Sequence, residues 1–186
     1  MASDQAGSVN PIPEHVHTVT PRLVVRDGAA AIDFYRAAFD AVQLGGRFTD
    51  PTGKLIHAEL QIGDSVVMIT EDSAEEAPAR SPESVGGVVT AIMATYWEDV
   101  DAAWERAVAA GAEVVYPLAD QFYGERGGRL RDPFGQQWML SQHIEDVPPD
   151  EMERRAASFF ASGWPSDARR FLAVEPSALR RAAVKA

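Results

Sequence analysis

Residues Arg126–Ser141, RGGRLRDPFGQQWMLS, decide how the rest of the chain is read. Asp132-Pro133-Phe134-Gly135 has the chemistry of a tight turn, because proline presets φ and glycine accepts the positive φ that a reversal needs. Beyond it, Trp138 and Leu140 alternate with Gln137, Met139 and Ser141, a pattern that predicts a strand with one apolar and one mixed face. The stretch is therefore expected to be a hairpin whose mixed face is open to a ligand.

Lys54–Thr70, KLIHAELQIGDSVVMIT, repeats the pattern, with His57, Glu59 and Gln61 set between Ile56, Ala58, Leu60 and Ile62. Each hairpin follows an amphipathic helix at a similar distance. The first helix, Gly28–Phe39, is capped by Asp27 and carries Ala31, Phe34, Tyr35, Ala38 and Phe39 on one face. A strand at Val19–Val25 precedes it and one at Val42–Phe48 follows. The second helix is capped by Asp99, shows Val100, Ala103, Trp104, Ala107 and Val108 at the same spacing, and ends at Gly111. Strands at Val88–Trp97 and Glu113–Pro117 flank it, so the chain reads as one βαβββ unit used twice.

Working outward gives the boundaries. Residues 1–16 read as a flexible lead-in, 17–71 as the first module, 72–87 as a linker rich in acid, alanine, serine and proline, and 88–142 as the second module. Residues 143–162 hold a helix begun by Pro148-Pro149-Asp150-Glu151, with Met152, Ala156, Phe159 and Phe160 as its apolar stripe. Residues 163–186 form a tail bearing Arg169, Arg170, Arg180, Arg181 and Lys185, expected to cover a neighbouring surface.

Composition narrows the function. A formal net charge of −11 argues against nucleic acid as a partner. No apolar run reaches the roughly 18 residues of a membrane span. The opening MASDQAGSVNPIPEH lacks a basic region followed by a hydrophobic one, so a cytoplasmic location is expected. With no cysteine there is no disulfide and no thiolate chemistry. A glycine-rich phosphate loop and a serine-nucleophile motif are also absent from the sequence.

Several segments together resemble a known family. Arg131-Asp132-Pro133-Phe134-Gly135 leading to Trp138, His57-Ala58-Glu59-Leu60, Ile62-Gly63-Asp64-Ser65, Asp120–Arg126 (DQFYGER) and His143-Ile144-Glu145-Asp146-Val147 occur in the order found in the vicinal oxygen chelate superfamily of glyoxalase I and bleomycin-resistance proteins, and within it they resemble the PhnB-like branch. The resemblance covers about Thr18–Ala161. It implies an α+β fold of paired βαβββ modules whose mixed sheet curves into a cup, with a ligand in the cup and frequently a homodimer. It fixes no reaction, since members include metal-dependent isomerases, dioxygenases, thiol transferases and metal-free drug-binding proteins. Laid over the family's metal positions, this chain shows Thr20, Met68, Ile92 and Met139, none a useful ligand for a hard cation.

The cup lining supplies the candidate site. His57 and Glu59, two apart on a strand, share a face and are the candidate catalytic pair, or with a third ligand a divalent-metal site. The competing structural reading has Glu59 paired with a cup-facing arginine and His57 bonded within that network. Arg22, Arg129 and Arg131 suit an anionic ligand, Gln61 and Gln137 add hydrogen bonds, Met68, Tyr96, Ile92 and Met139 would form an apolar floor, and Phe122 with Tyr123 a loop over the mouth. His15 and His17 are expected at the surface, His143 between the last strand and the terminal helix, and Trp104 and Trp138 in the core. The expectation is a small-molecule-binding protein that sequesters an organic ligand, with no cofactor. The alternative is a lyase or isomerase, with a divalent metal as its possible cofactor, using His57 and Glu59.

Overall fold

The structure is a computed structural model and describes residues 10–73, 79–87, 89 and 91–161. The first module runs β1 (Arg22–Val25), α1 (Gly28–Phe39), β2 (Val42–Thr49), β3 (Leu55–Ile62) and β4 (Ser65–Glu71). The second runs β5 (Ile92–Tyr96), α2 (Val100–Ala109), β6 (Glu113–Asp120), β7 (Glu125–Arg131) and β8 (Gln137–His143), and α3 (Pro149–Ala161) follows. Each module forms one four-stranded curved sheet, in the order β1-β4-β3-β2 and β5-β8-β7-β6, with the first strand parallel to the last and the rest antiparallel. The paired βαβββ architecture and the added helix are those expected.

The differences have local causes. β1 begins at Arg22 rather than Val19, because Pro21 has no N–H to give a ladder and the Thr20 hydroxyl turns back to the His17 carbonyl at 2.9 Å. β6 continues through Pro117 to Asp120, which an edge strand tolerates because a proline there can face outward. The linker ends in a short 3-10 turn at Pro82–Val85 capped by Ser81, where Asp72 gathers the Ser81 and Ser84 hydroxyls. Residues 88 and 90, the start of the expected strand, and the tail at 163–186 lie outside the described residues.

Both helices cover one face of the sheets, and a single core runs through both modules. Trp138 (1% exposed), Leu140 and Leu130 meet Tyr35 and Phe39 of α1, with the Phe39 and Trp138 rings 4.6 Å apart. A buried carboxylate locks this junction. Asp132, in the β7–β8 turn, accepts four hydrogen bonds: from the Phe134 and Gln136 amides at 2.9 and 2.8 Å, the Tyr35 hydroxyl at 2.7 Å and the Trp138 indole at 2.9 Å. Burial pushes the Asp132 carboxyl up while the indole and phenol bonds pull it down, and burial holds the Tyr35 hydroxyl well above its ordinary range. The turn is completed by Gly135, at φ +84°, where a Cβ would stand 2.9 Å from Pro82 of the linker. α3 is held differently, by Arg155 reaching both Glu145 oxygens at 2.7 Å and by Phe122 against Phe159.

Candidate functional site

Strand alternation leaves the second face of each sheet free of helix, and the polar residues of both hairpins project from it. In the first sheet the register sets Arg22 beside Met68 and Met68 beside Glu59, with His57 opposite Phe48 on the far side of β3. The Arg22 guanidinium lies 3.1 Å from His57 Nδ1. A guanidinium only donates, so Nδ1 accepts and the ring proton sits on Nε2, 3.3 Å from Glu59 Oε1. The other Glu59 oxygen is 3.3 Å from His15 Nε2. The structure thus brings together Arg22, His57, Glu59 and an unexpected fourth member, His15, placed by the lead-in on the sheet rather than left apart from it. Arg129 and Arg131 take no part in that network. Gln61 turns to the Gly63 carbonyl at 3.1 Å.

In the second sheet, Arg129 faces Met139 across β7 and β8, and Tyr116 of β6 beyond it, with the Arg129 guanidinium carbon 5.0 Å from the Tyr116 ring centre. Tyr96 donates to Glu125 at 3.0 Å, and that bond, with the charge of Glu125, raises the phenol's pKa. Tyr123 is raised first by burial and then by Glu125, with Arg129 opposing. Gln137 and Ile92 are neighbours on the same face, and Arg131 is drawn to Glu113 at 3.6 Å. Phe122, expected in a loop over the mouth, packs against α3. It is taken up by Phe159 and Phe160 of α3, while Tyr123 meets it edge-on. His143 bonds Asp146 at 2.9 Å, on the connection to α3.

A cleft of about 570 Å³ opens between the modules, lined among others by His17, Asp64 and Ser65 of one and Thr95, Tyr96 and Trp97 of the other. No hydrogen bond or ion pair joins the two polar sets among the described residues. His15 was missed in the sequence because 44 residues separate it from Glu59 and nothing periodic marks the lead-in. Glu125 and Tyr116 were missed because only the β6–β7–β8 register shows their neighbours.

The donor chemistry speaks to the family's metal. Met68 and Met139 offer only thioethers, Ile92 nothing, and the Thr20 hydroxyl is spent on a backbone carbonyl. Both His57 nitrogens are engaged, and the described residues hold no cluster of three or more His, Cys, Asp or Glu arranged for a metal. These residues do not fit the ancestral metal site.

Two βαβββ modules joined by their helices, each with an open polar sheet face, define the glyoxalase fold. The Glyoxalase/Bleomycin resistance protein/Dioxygenase superfamily profile matches residues 15–140, and the chain belongs to that superfamily. It is 46% identical over 142 residues to an uncharacterized protein of Mycobacterium bovis, covering 75% of this chain and 92% of that one. An uncharacterized protein of Mycobacterium tuberculosis matches at the same 46%, with 82% of its length covered. Among solved structures, TioX from Micromonospora sp. ML1 is similar with TM-score 0.54 and 26% identity over 67% of this chain and 97% of that one. A glyoxalase/bleomycin resistance protein/dioxygenase from Nocardioides shares the fold at TM-score 0.52 and 20% identity, covering 76% and 90%. No helix among the described residues is long and apolar enough to cross a membrane.

Proposed function

We propose that this chain is a small-molecule-binding protein of the PhnB-like branch, with modules at 17–71 and 88–142, which holds an organic ligand on its open sheet faces without the ancestral metal and acts in the cytoplasm as a homodimer. The observation that carries this reading is the pairing of non-ligating residues at the family's metal positions with polar and aromatic side chains gathered on the helix-free faces. Directed polar groups set beside apolar ones such as Met68, Ile92 and Met139 suit a ligand site. The dimer is supported by Val42, Phe48, Ile56 and Ile92, which remain exposed on a single copy and which a second copy would cover. The test is a melting-temperature screen against aromatic natural products, followed by mass spectrometry of the recovered compound. A saturable upward shift with the compound unchanged supports binding; conversion of the compound refutes it.

A second reading, a lyase or isomerase, is favoured by the Arg22–His57–Glu59 chain, which places an imidazole between a guanidinium and a carboxylate. The occupied nitrogens weigh against it, because a general base needs a lone pair facing substrate. Under this reading His57→Ala abolishes turnover while the protein stays folded. Under the binding reading there is no turnover to lose.

A further inference from the structure

The geometry points to a seat for a planar anion, an aromatic or heteroaromatic carboxylate, on the open face of the second sheet, with Arg129 gripping the carboxylate and Ser141 giving a second donor from the next strand. This rests on the binding function above and names the chemical class of its ligand.

Two buried polar atoms on this face lack any partner: Arg129 Nε and Ser141 Oγ. Ser141 is only 1% exposed, so its hydroxyl is cut off from bulk water as well as from protein acceptors. A buried polar group left unpaired is destabilising, and native proteins keep few of them unless something else fills the need. Arg129 is the more telling of the two. The other arginines of its hairpin are paired: Arg126 with Asp101 and Asp120, Arg131 with Glu113. Arg129, half-buried in a chain of net charge −11, has no ion pair or hydrogen bond among the described residues and rests on the Tyr116 ring, with Tyr123 near enough to feel its charge.

The register places the two orphans together. Gly127 pairs with Ser141 and Arg129 with Met139, so Arg129 and Ser141 are diagonal neighbours on one face, about 7 Å apart at the backbone. The long Arg129 side chain has the reach to meet a carboxylate that Ser141 holds by a hydrogen bond of about 2.9 Å. Opposite Ser141 stands Gly127, where a Cβ would come within 2.9 Å of the hydroxyl, so the floor of the seat is kept clear of side chain. Tyr96, beside Ser141 in the register and 63% exposed, flanks the seat, and Tyr116 and Tyr123 offer rings to a flat ligand. Glu125, on the same strand face, flanks the Ser141 end of the seat as its diagonal neighbour, where the Tyr96 hydroxyl engages it, and sits four residues from Arg129, about 13 Å along the strand. A guanidinium that grips two oxygens selects for a carboxylate over its neutral amide.

The experiment is titration calorimetry of the full chain with 2-naphthoate and with 2-naphthamide, its neutral counterpart. The expected result is that the acid binds at least about tenfold tighter than the amide. Arg129→Gln removes that preference while leaving the circular dichroism spectrum unchanged, and Ser141→Ala weakens the acid several-fold. Arg126→Gln, on the neighbour paired with Asp101 and Asp120 outside the seat, leaves both affinities as they were. Equal affinity for acid and amide, or full affinity in Arg129→Gln or in Ser141→Ala, overturns the two-point seat. If a neutral compound from the screen binds wild type and Arg129→Gln alike, the seat is gone and the binding function stands. If neither these probes nor any screened compound binds, both are lost.

Discussion

The two faces of the second sheet treat buried polar groups in opposite ways. On the helix side, the Asp132 carboxylate is 3% exposed and accepts four hydrogen bonds from two side chains and two amides. On the open side, Arg129 Nε and Ser141 Oγ are buried and accept or give none. The same hairpin produces both, because alternation sends Trp138 and Leu140 to one face and Arg129, Met139 and Ser141 to the other. A polar group whose every bond is made within the chain is part of the fold. One left unmade is a place where the chain awaits something.

That contrast is sharpest at Asp132. Its replacement by alanine strands the Tyr35 hydroxyl, the Trp138 indole and two amides in the core, and is expected to cost about 4 kcal/mol in urea unfolding. A loss below about 1 kcal/mol would mean that the carboxylate is not the lock between α1 and the hairpin. Next in size is Gly135→Ala, expected to cost about 1–2 kcal/mol by the same measurement, since it sits at φ +84° with Pro82 at 2.9 Å. Arg129→Gln, by contrast, is expected to lower unfolding free energy by no more than about 1 kcal/mol, because it gives up only the Tyr116 ring contact and breaks no hydrogen bond or ion pair. A large loss there would make Arg129 a structural residue and erase the contrast between the faces.

The smallest effect concerns a satisfied carboxylate outside the core. At Asp72 burial pushes the pKa up, but the Ser84 and Ser81 hydrogen bonds and Arg80 outweigh it and hold the group at about 2. An ordinary aspartate lies near ~4, so the folded value is depressed and the contribution to stability is present above ~4 and fades as pH falls toward ~2. Urea titrations across that window should show a shallower decline for Asp72→Asn than for wild type. Identical pH profiles would mean that the linker end is not held by this carboxylate.

Much of this was legible in the sequence. The two helices carry their aspartate caps and apolar stripes plainly, and Asp27 and Asp99 each accept from the amide three residues on, as the capping pattern predicts. The hairpins carry strict alternation and glycine turns, so the fold and the face of each candidate residue could be read. The site was less legible because its bonds are long-range. The Arg22–His57 contact spans 35 residues and the His15–Glu59 contact 44. No local pattern encodes the choice of Arg22 rather than Arg129 as the partner of His57. The sequence likewise does not show that the α3 stripe folds back onto Phe122. Ser141 read as one more small residue on a mixed face, and only the register opposite Gly127 reveals its buried hydroxyl.

The most direct test of the account is methyl NMR of the full chain labelled at its methionines during titration with 2-naphthoate. Met139 lies on the open face beside Arg129, whereas Met93 packs on the helix side against the core. The account predicts a saturable shift of the Met139 methyl while Met93 stays still. A ligand that shifts Met93 and leaves Met139 unmoved would contradict it.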